Sequence, residues 1–311
     1  MHRYTQNGRV GAFLAVNNGT VEGCVADVSL SAERGAGFVF ENNGTVSHSV
    51  SLRCVRGKEA RGFTVRNGGT ITASGYVGSR GARQTGKNGR EEYRFGNADL
   101  FLPADTPKEE LFRLLTPDGQ NAAPGRREFF PDLAAGLCPI PEAGEEIIRI
   151  ETADDLRAMI EAVRSGDRIA AGAHYLLGND LDMKGAHLTP IGDSEGYAFT
   201  GKFDGNGKTI GNFTIDCRRS EWGGFFGYTK GAVVANLALD YILKGAGGGT
   251  AGGMAGCIDG GSFVNCRVRL AMSPGMCAGG FCGKNSGVVR QCGVGGKIAP
   301  PVPVLPWLIP C

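Results

Sequence analysis

Three aspartates in the second half of the chain are residues that can do acid–base chemistry. Asp180 and Asp182 are two residues apart, so both would point to the same side of a strand, and Asp204 precedes Gly-Asn-Gly. Polysaccharide lyases and glycoside hydrolases need carboxylates that converge on one face. A short acceptor beside glycine can instead bond free turn amides, and we favour this role for Asp180 and Asp204. Catalysis and a calcium site are the alternatives, although no distal glutamate of an EF-hand loop follows Asp204.

The histidines show no metal-binding or general-base pattern. They are isolated from one another in the sequence, and the four are His2, His48, His174 and His187. No His-x-x-x-His arrangement and no Cys-x-x-Cys spacing occurs among them or the ten cysteines. We therefore expect no metal and no cofactor.

Several cysteines occupy one repeated position. Cys24, Cys266 and Cys292 stand where Ser49 and Ser74 also fit, which indicates a small residue that fills the interior. A Cys266–Cys292 disulfide is the alternative, because stacked α-carbons about 4.8 Å apart lie within disulfide range. So many thiols favour a reducing or anaerobic setting.

Composition excludes several classes of function. The chain has 52 glycines but 14 prolines, and 41% of its residues are hydrophobic, which is typical of tight turns beside packed backbone. A net charge of +2 is not the excess of positive charge that would indicate binding to nucleic acid or an anionic membrane. No run approaches the roughly 20 apolar residues of a membrane span, and the first residues lack the apolar core of a signal peptide.

A 25-residue repeat organises the first part of the chain. Phe13, Phe38 and Phe63 each begin a segment, and a threonine follows seven residues later; Gly19 and Gly44 precede two of these threonines. Equivalent residues are of the same kind and the repeat runs head to tail. Like residues would then stack about 4.8 Å apart, as in a parallel β-solenoid. We predict one interior column of these phenylalanines and a ladder of asparagine amides.

Three later units fit the same template with longer steps. They begin at Phe225, Met254 and Phe281, and we expect these residues to stack in the interior as well. A gapless comparison makes Gly231 equivalent to Gly287, whereas the Met254 unit needs one inserted residue. The predicted fold is therefore all-β, a right-handed parallel β-helix with short capping or connecting α-helices.

The pattern divides the chain into four parts. These are N-terminal coils (1–83), a connector with a short helix that starts near Thr106 (84–150), a capping helix with further coils (151–299) and a Pro-rich tail (300–311). The clearest helix is 153–165, with Thr152 as its N-cap and an apolar stripe at helical spacing. We expect this helix to cover the open end of the second set of coils.

The second half carries motifs of a known family. Residues 175–183 read Tyr-Leu-Leu-Gly-Asn-Asp-Leu-Asp-Met, residues 203–210 read Phe-Asp-Gly-Asn-Gly-Lys-Thr-Ile, and Gly-x-x-Gly units follow at 224–227, 253–256 and 280–283. This resembles the GLUG-motif repeat proteins of bacteria, which are secreted and surface proteins. The resemblance implies a right-handed β-helix with a surface or adhesive role, and it supplies no active site. It implies an extracellular or cell-surface location.

The resemblance covers about 147–295, with 8–80 as further units of the same type. In the first-half units Ala15, Phe40 and Val65 replace the closing glycine, so their turns are expected to differ.

The leading functional hypothesis is a non-catalytic solenoid module for adhesion, display, or protein or glycan binding at a bacterial surface. A carbohydrate-active enzyme on the same scaffold is the alternative, and it would need a cleft with two carboxylates and aromatic walls. A third hypothesis is a scaffold subunit whose first coil is covered by another chain. The sequence does not indicate an oligomeric state.

Overall fold

The computed structural model describes residues 8–53, 55–57, 59–78, 99–103, 146–218, 220–245, 249–273 and 276–299. They form a mostly-β parallel solenoid of about eight turns with two short helices. The predicted parallel β-solenoid is therefore confirmed.

Short strands separated by tight turns make up the coils. The first part of the chain contains β1 (Arg9–Gly11), β2 (Leu14–Asn17), β3 (Thr20–Glu22), β4 (Val25–Ser31), β5 (Arg34–Ala36), β6 (Val39–Asn42), β7 (Thr45–Ser47), β8 (Val50–Ser51), β9 (Val55–Arg56), β10 (Glu59–Arg61), β11 (Thr64–Asn67), β12 (Thr70–Thr72), β13 (Ser74–Gly78) and β14 (Asp99–Pro103). The second part contains β15 (Ile147–Ile150), α1 (Ala153–Arg164), α2 (Arg168–Gly172), β16 (His174–Leu177), β17 (Leu181–Leu188), a 3₁₀ turn (Glu195–Tyr197), β18 (Lys202–Asp204), β19 (Thr209–Asp216), β20 (Trp222–Gly223), β21 (Phe226–Lys230), β22 (Val233–Ala235), β23 (Ala238–Lys244), β24 (Thr250–Gly252), β25 (Ala255–Asp259), β26 (Ser262–Val264), β27 (Arg267–Ser273), β28 (Cys277–Gly279), β29 (Cys282–Asn285), β30 (Val288–Arg290) and β31 (Gly293–Ile298).

The strands stack into four parallel sheets. Sheet A has the order β10-β5-β1-β28-β24-β20, sheet B β11-β6-β2-β29-β25-β21, sheet C β12-β7-β3-β30-β26-β22-β18-β16-β15 and sheet D β14-β13-β8-β4-β31-β27-β23-β19-β17. Strand β9 pairs with β4 beside this path. A regular coil contributes one strand to each sheet.

The spatial order of the coils differs from their order in the sequence. The coil of β28–β31 lies directly on the coil of β1–β4, with parallel pairing in all four sheets. The two sets of coils are therefore one continuous stack. Residues of the same chain cover the first coil, where the scaffold hypothesis expected another chain.

A column of aromatic rings runs through the interior and crosses from one set of coils to the other. The rings of Phe13 and Phe38 stack 4.7 Å apart, Phe38 and Phe63 4.8 Å apart, and Phe13 and Phe281 5.0 Å apart. Phe225 and Met254 are also fully buried. The interplanar angles of 1–5° show that successive coils are in register.

Buried asparagines form the predicted amide ladder. The Nδ2 of Asn17 donates to Oδ1 of Asn42 at 2.8 Å, and Asn42 donates to Asn67 at 2.8 Å. Asn285 begins the ladder by donating to Asn17 at 2.9 Å. Each buried amide therefore satisfies its neighbour, which removes the cost of burying it.

The predicted equivalence of Gly231 and Gly287 is wrong by one residue. Val233 pairs with Ser262, and Ser262 pairs with Val288. The Phe225 coil therefore carries the same extra corner residue as the Met254 coil. Gly231 is that residue, with φ +65° and no atom within 4 Å of an added Cβ. A left-handed corner residue absorbs the extra length and leaves the strands in register.

Gly19 and Gly44 are glycines for a different reason, which is close contact with the backbone of the neighbouring coil. A Cβ on Gly19 would lie 2.1 Å from the Gly287 carbonyl oxygen, and one on Gly44 would lie 2.1 Å from that of Gly19. Gly287 has close neighbours of the same kind, with the Gly260 carbonyl oxygen 2.7 Å away. These positions need glycine because the coils stack backbone on backbone.

Helix α1 covers one end of the stack. Thr152 is the N-cap, as predicted, and it forms a capping box with Asp155. The helix contacts β15 and β17, which are the last strands of sheets C and D. Its buried residues are Leu156, Met159, Ile160 and Val163, and they belong to the main hydrophobic core. The sequence-predicted helix and its apolar face are confirmed.

Two of the described strands lie within residues 84–150. β14 extends sheet D by pairing with β13, and β15 begins sheet C by pairing with β16. The predicted helix near Thr106 and the tail 300–311 lie outside the described residues.

Candidate functional site

Asp204 has a structural role at the end of β18. Its side chain is 1% exposed, and Oδ1 accepts from the backbone N–H of Asn206 at 2.8 Å and from Nδ2 of Asn236 at 3.1 Å. Asn265 in turn donates to Asn236 at 2.9 Å. Asp204 thus closes a turn and ends a second amide ladder.

Asp180 and Asp182 lie on the outer surface, away from Asp204. Oδ1 of Asp180 accepts from the backbone N–H of Thr209 at 2.7 Å. Oδ1 of Asp182 accepts from the backbone N–H of Lys184 at 2.8 Å and from Nδ2 of Asn212 at 2.9 Å. Both bonds lower the pKa of the Asp182 carboxyl, and the bond from the Lys184 backbone has the larger effect. The structure therefore brings two of the three predicted aspartates together.

Both aspartates line an open groove of about 930 Å³ on the outer face of sheet D, which we call the sheet D groove. Two rows of outward-facing positions cross its strands. One row is Asp182, Gly211, Asp240 and Arg269, and the second is Thr214, Ile242, Ala271 and Lys297. Carboxylates lie toward β17 and basic groups toward β31, so the groove is polarised along the solenoid axis.

Irregular backbone shapes one end of the groove. The register shifts between Asp182 and Ala186 on β17 and between Gly211 and Phe213 on β19. Asn212, at the second shift, has φ 59°. Such bulges bend a strand and redirect a side chain. Here the bulge places the Asn212 amide against Asp182 and fixes that carboxylate.

Two inward-facing aromatic residues lie beneath the groove, on the core side of sheet D. The rings of Phe213 and Tyr241 stack 4.5 Å apart with an interplanar angle of 8°, and both are buried. The Tyr241 hydroxyl donates to the Gly253 carbonyl at 2.5 Å, and burial raises the pKa of Tyr241 well above its ordinary value. On the outer face Ile242 is 49% exposed, and it offers an apolar contact between the acidic and basic ends.

Sequence reasoning missed Asp240, Ile242, Arg269 and Lys297. The strict alternation of buried and exposed residues along β23 marks Asp240 and Ile242 as outward-facing. Nothing in the sequence shows that β19, β23, β27 and β31 bring them into one groove, because this depends on stacking register.

Three of the described cysteines have a structural role in the repeated interior position. Seven cysteines are free, including Cys266 and Cys292, so the disulfide alternative is wrong. The backbone N–H of Cys266 donates to Sγ of Cys292 at 3.4 Å, and that of Cys292 donates to Sγ of Cys24 at 3.5 Å. At the equivalent position of the next coil, Oγ of Ser49 accepts from the backbone N–H of Cys24 at 3.2 Å. Burial raises the pKa of Cys292 well above its ordinary value, so the thiol of Cys292 stays neutral.

The described histidines lie in separate elements. His174 is in β16, His187 is in β17 and His48 is in the turn after β7. Within the described ranges, no three or more His, Cys, Asp or Glu side chains are placed to hold a metal ion.

No family model, curated protein or solved structure matches the chain. The fold places the chain among the parallel β-solenoids. None of the helices in the described ranges has the length and apolar character needed to cross a membrane.

Proposed function

We propose that this protein is a non-catalytic β-solenoid binding module and that the sheet D groove holds its ligand. The observation that carries the proposal is an open groove of about 930 Å³ with fixed carboxylates at one end, basic groups at the other and exposed Ile242 between them. A ligand in this groove would cross the strands and lie along the solenoid axis.

The lining favours a protein ligand over a glycan. The two aromatic residues of the groove, Phe213 and Tyr241, are stacked on each other and buried, so neither offers a face to a sugar. An extended polypeptide can present a cationic group to Asp182 and Asp240, an apolar side chain to Ile242 and an anionic group to Arg269. Complementary charges of this kind set the register and orientation of a ligand.

The geometry gives less support to catalysis. Asp182 and Asp240 are two strands apart in sheet D, about 9.6 Å by strand spacing. That distance is at the limit for an acid–base pair in an inverting glycosidase. A general acid also needs a raised pKa, whereas the pKa of Asp182 is lowered. Among the described residues, the outward-facing lining of the groove holds no aromatic side chain of the kind that the enzyme hypothesis expected.

The sequence resemblance to GLUG-motif proteins supports a place at a bacterial surface. The solenoid fold and the Gly-x-x-Gly units agree with that family, and we propose adhesion or display as the setting in which the groove binds.

The test is a binding screen of the purified chain on arrays of extended peptides and of glycans. We expect peptides with a cationic, an apolar and an anionic residue in that order to bind. Arg269→Glu and Ile242→Asp should each weaken binding at least tenfold. Arg168→Glu, at an exposed arginine of α2 outside the groove lining, is the control and should bind like the parent.

Binding that is unchanged in both groove variants would refute the assignment of the site. Binding to glycans alone would refute the protein ligand. Turnover of a pectic, uronic or neutral polysaccharide that Asp182→Asn abolishes would refute the non-catalytic function.

A further inference from the structure

One interface in the stack joins coils that are not consecutive in the sequence. Residues 8–78 and 99–103 form the N-terminal lobe, and residues 146–299 form the C-terminal lobe. The lobes meet where β1–β4 pair with β28–β31. We call this interface the lobe junction.

The lobe junction has the chemistry of any other coil interface in the molecule. Across it the phenylalanine rings stack 5.0 Å apart, against 4.7 Å within the N-terminal lobe. The asparagine ladder crosses it with a 2.9 Å bond, against 2.8 Å in the next step. The backbone N–H of Cys292 donates to Sγ of Cys24 across the junction at 3.5 Å. The equivalent bond within the C-terminal lobe, from Cys266 to Cys292, is 3.4 Å.

The covalent chain does not link the two lobes at this junction. Pro103 belongs to the last strand at one end of sheet D, whereas Ile147 begins the strand at the opposite end of sheet C. The nine strands of sheet C span about 38 Å. Residues 104–145 can reach at most roughly 140 Å when fully extended. The connection therefore permits an N-terminal lobe to dock on a C-terminal lobe other than its own.

We propose that the lobe junction also forms between copies, so that the C-terminal lobe of one chain accepts the N-terminal lobe of a second chain. The partner is a second copy because every chain carries both faces of this heterologous interface. An undocked C-terminal lobe exposes the edges of β28–β31 and the ring of Phe281, which only another in-register coil covers fully. The tether raises the local concentration of its own lobe, so the closed single chain predominates in dilute protein.

The test uses full-length chains that carry one or two introduced cysteines. Ser29 and Lys297 are exposed Cα partners across the junction, within disulfide range at about 4.8 Å. The double variant Ser29→Cys/Lys297→Cys should form an internal 29–297 disulfide in dilute protein. Ser29→Cys and Lys297→Cys chains, unfolded, mixed and refolded together at high concentration, should form the same linkage between chains.

Mass spectrometry of the linked peptides separates this bond from those of the native thiols. A mixture of Ser31→Cys with Lys297→Cys is the matched control, because residue 31 is two positions out of register. We expect the 29–297 linkage to be at least tenfold more abundant than the 31–297 linkage. An internal linkage in the double variant without a linkage between chains would overturn the proposal. Absence of both linkages would overturn the lobe junction itself.

Discussion

Truncating Phe38 tests whether the aromatic column holds the coils together. Phe38 is fully buried and stacks on Phe13 and Phe63, 4.7 and 4.8 Å away. Truncating a buried phenylalanine costs about 3–5 kcal/mol. Coils on both sides of Phe38 restrict collapse of the cavity, and two stacked pairs are lost, each worth about 0.5–1.5 kcal/mol beyond its buried area. We therefore expect Phe38→Ala to lower the free energy of unfolding by about 5 kcal/mol.

Phe63→Ala provides an internal comparison. Among the described rings Phe63 stacks on Phe38 alone, so we expect a cost about 1 kcal/mol smaller. Thr45→Ala, on the exposed face of β7, is the surface control. Urea unfolding followed by circular dichroism gives the three free energies. Equal costs for Phe38→Ala and Thr45→Ala would show that the column does not stabilise the stack.

Three further perturbations address the ladder, the cap and the groove. Asn42→Asp replaces the amide that donates to Asn67 with a carboxylate oxygen and buries a charge, so we expect a loss of at least about 2 kcal/mol in urea unfolding; an unchanged midpoint would contradict this. Deleting 147–166 removes α1 and should give aggregated protein in size-exclusion chromatography, because the coil edge and the core are exposed; a folded monomer would show that the cap is dispensable. Asp182 has a lowered pKa, so its contribution to stability is present above the ordinary value of about 3.9 and is lost as pH falls through the lowered pKa. Carboxyl titration by NMR should show this low midpoint, and Asn212→Ala should raise it; a midpoint unmoved by that change would refute the role of the Asn212 bond.

Local chemistry made much of the coil structure predictable. Phe13, Phe38 and Phe63 recur every 25 residues because each fills the same interior position of its coil. Thr152 marks the start of α1 because its side chain caps free N–H groups, and the apolar stripe that follows has to be covered. These are local signals, since a strand, a turn or a cap depends on residues close in sequence.

The corner at Gly231 shows where local reasoning fails. An extra residue in a turn leaves the apolar pattern of the flanking strands nearly unchanged. A gapless comparison therefore aligns the strand after the turn one residue away from its true partner. Only the pairing of Val233 with Ser262 fixes the register.

The sequence by itself determined that the chain forms stacked parallel coils with an aromatic column, an amide ladder and a capping helix. The tertiary structure alone decided which coils are neighbours and which outward-facing residues share a surface. The physical reason is that every coil presents nearly the same edge, with a ring, an amide and unpaired backbone groups in the same places. Such an edge accepts any in-register coil, so the sequence does not select its neighbour. The placement of Phe281 beside Phe13, and of Asp182 in one groove with Lys297, therefore follows from the order of stacking.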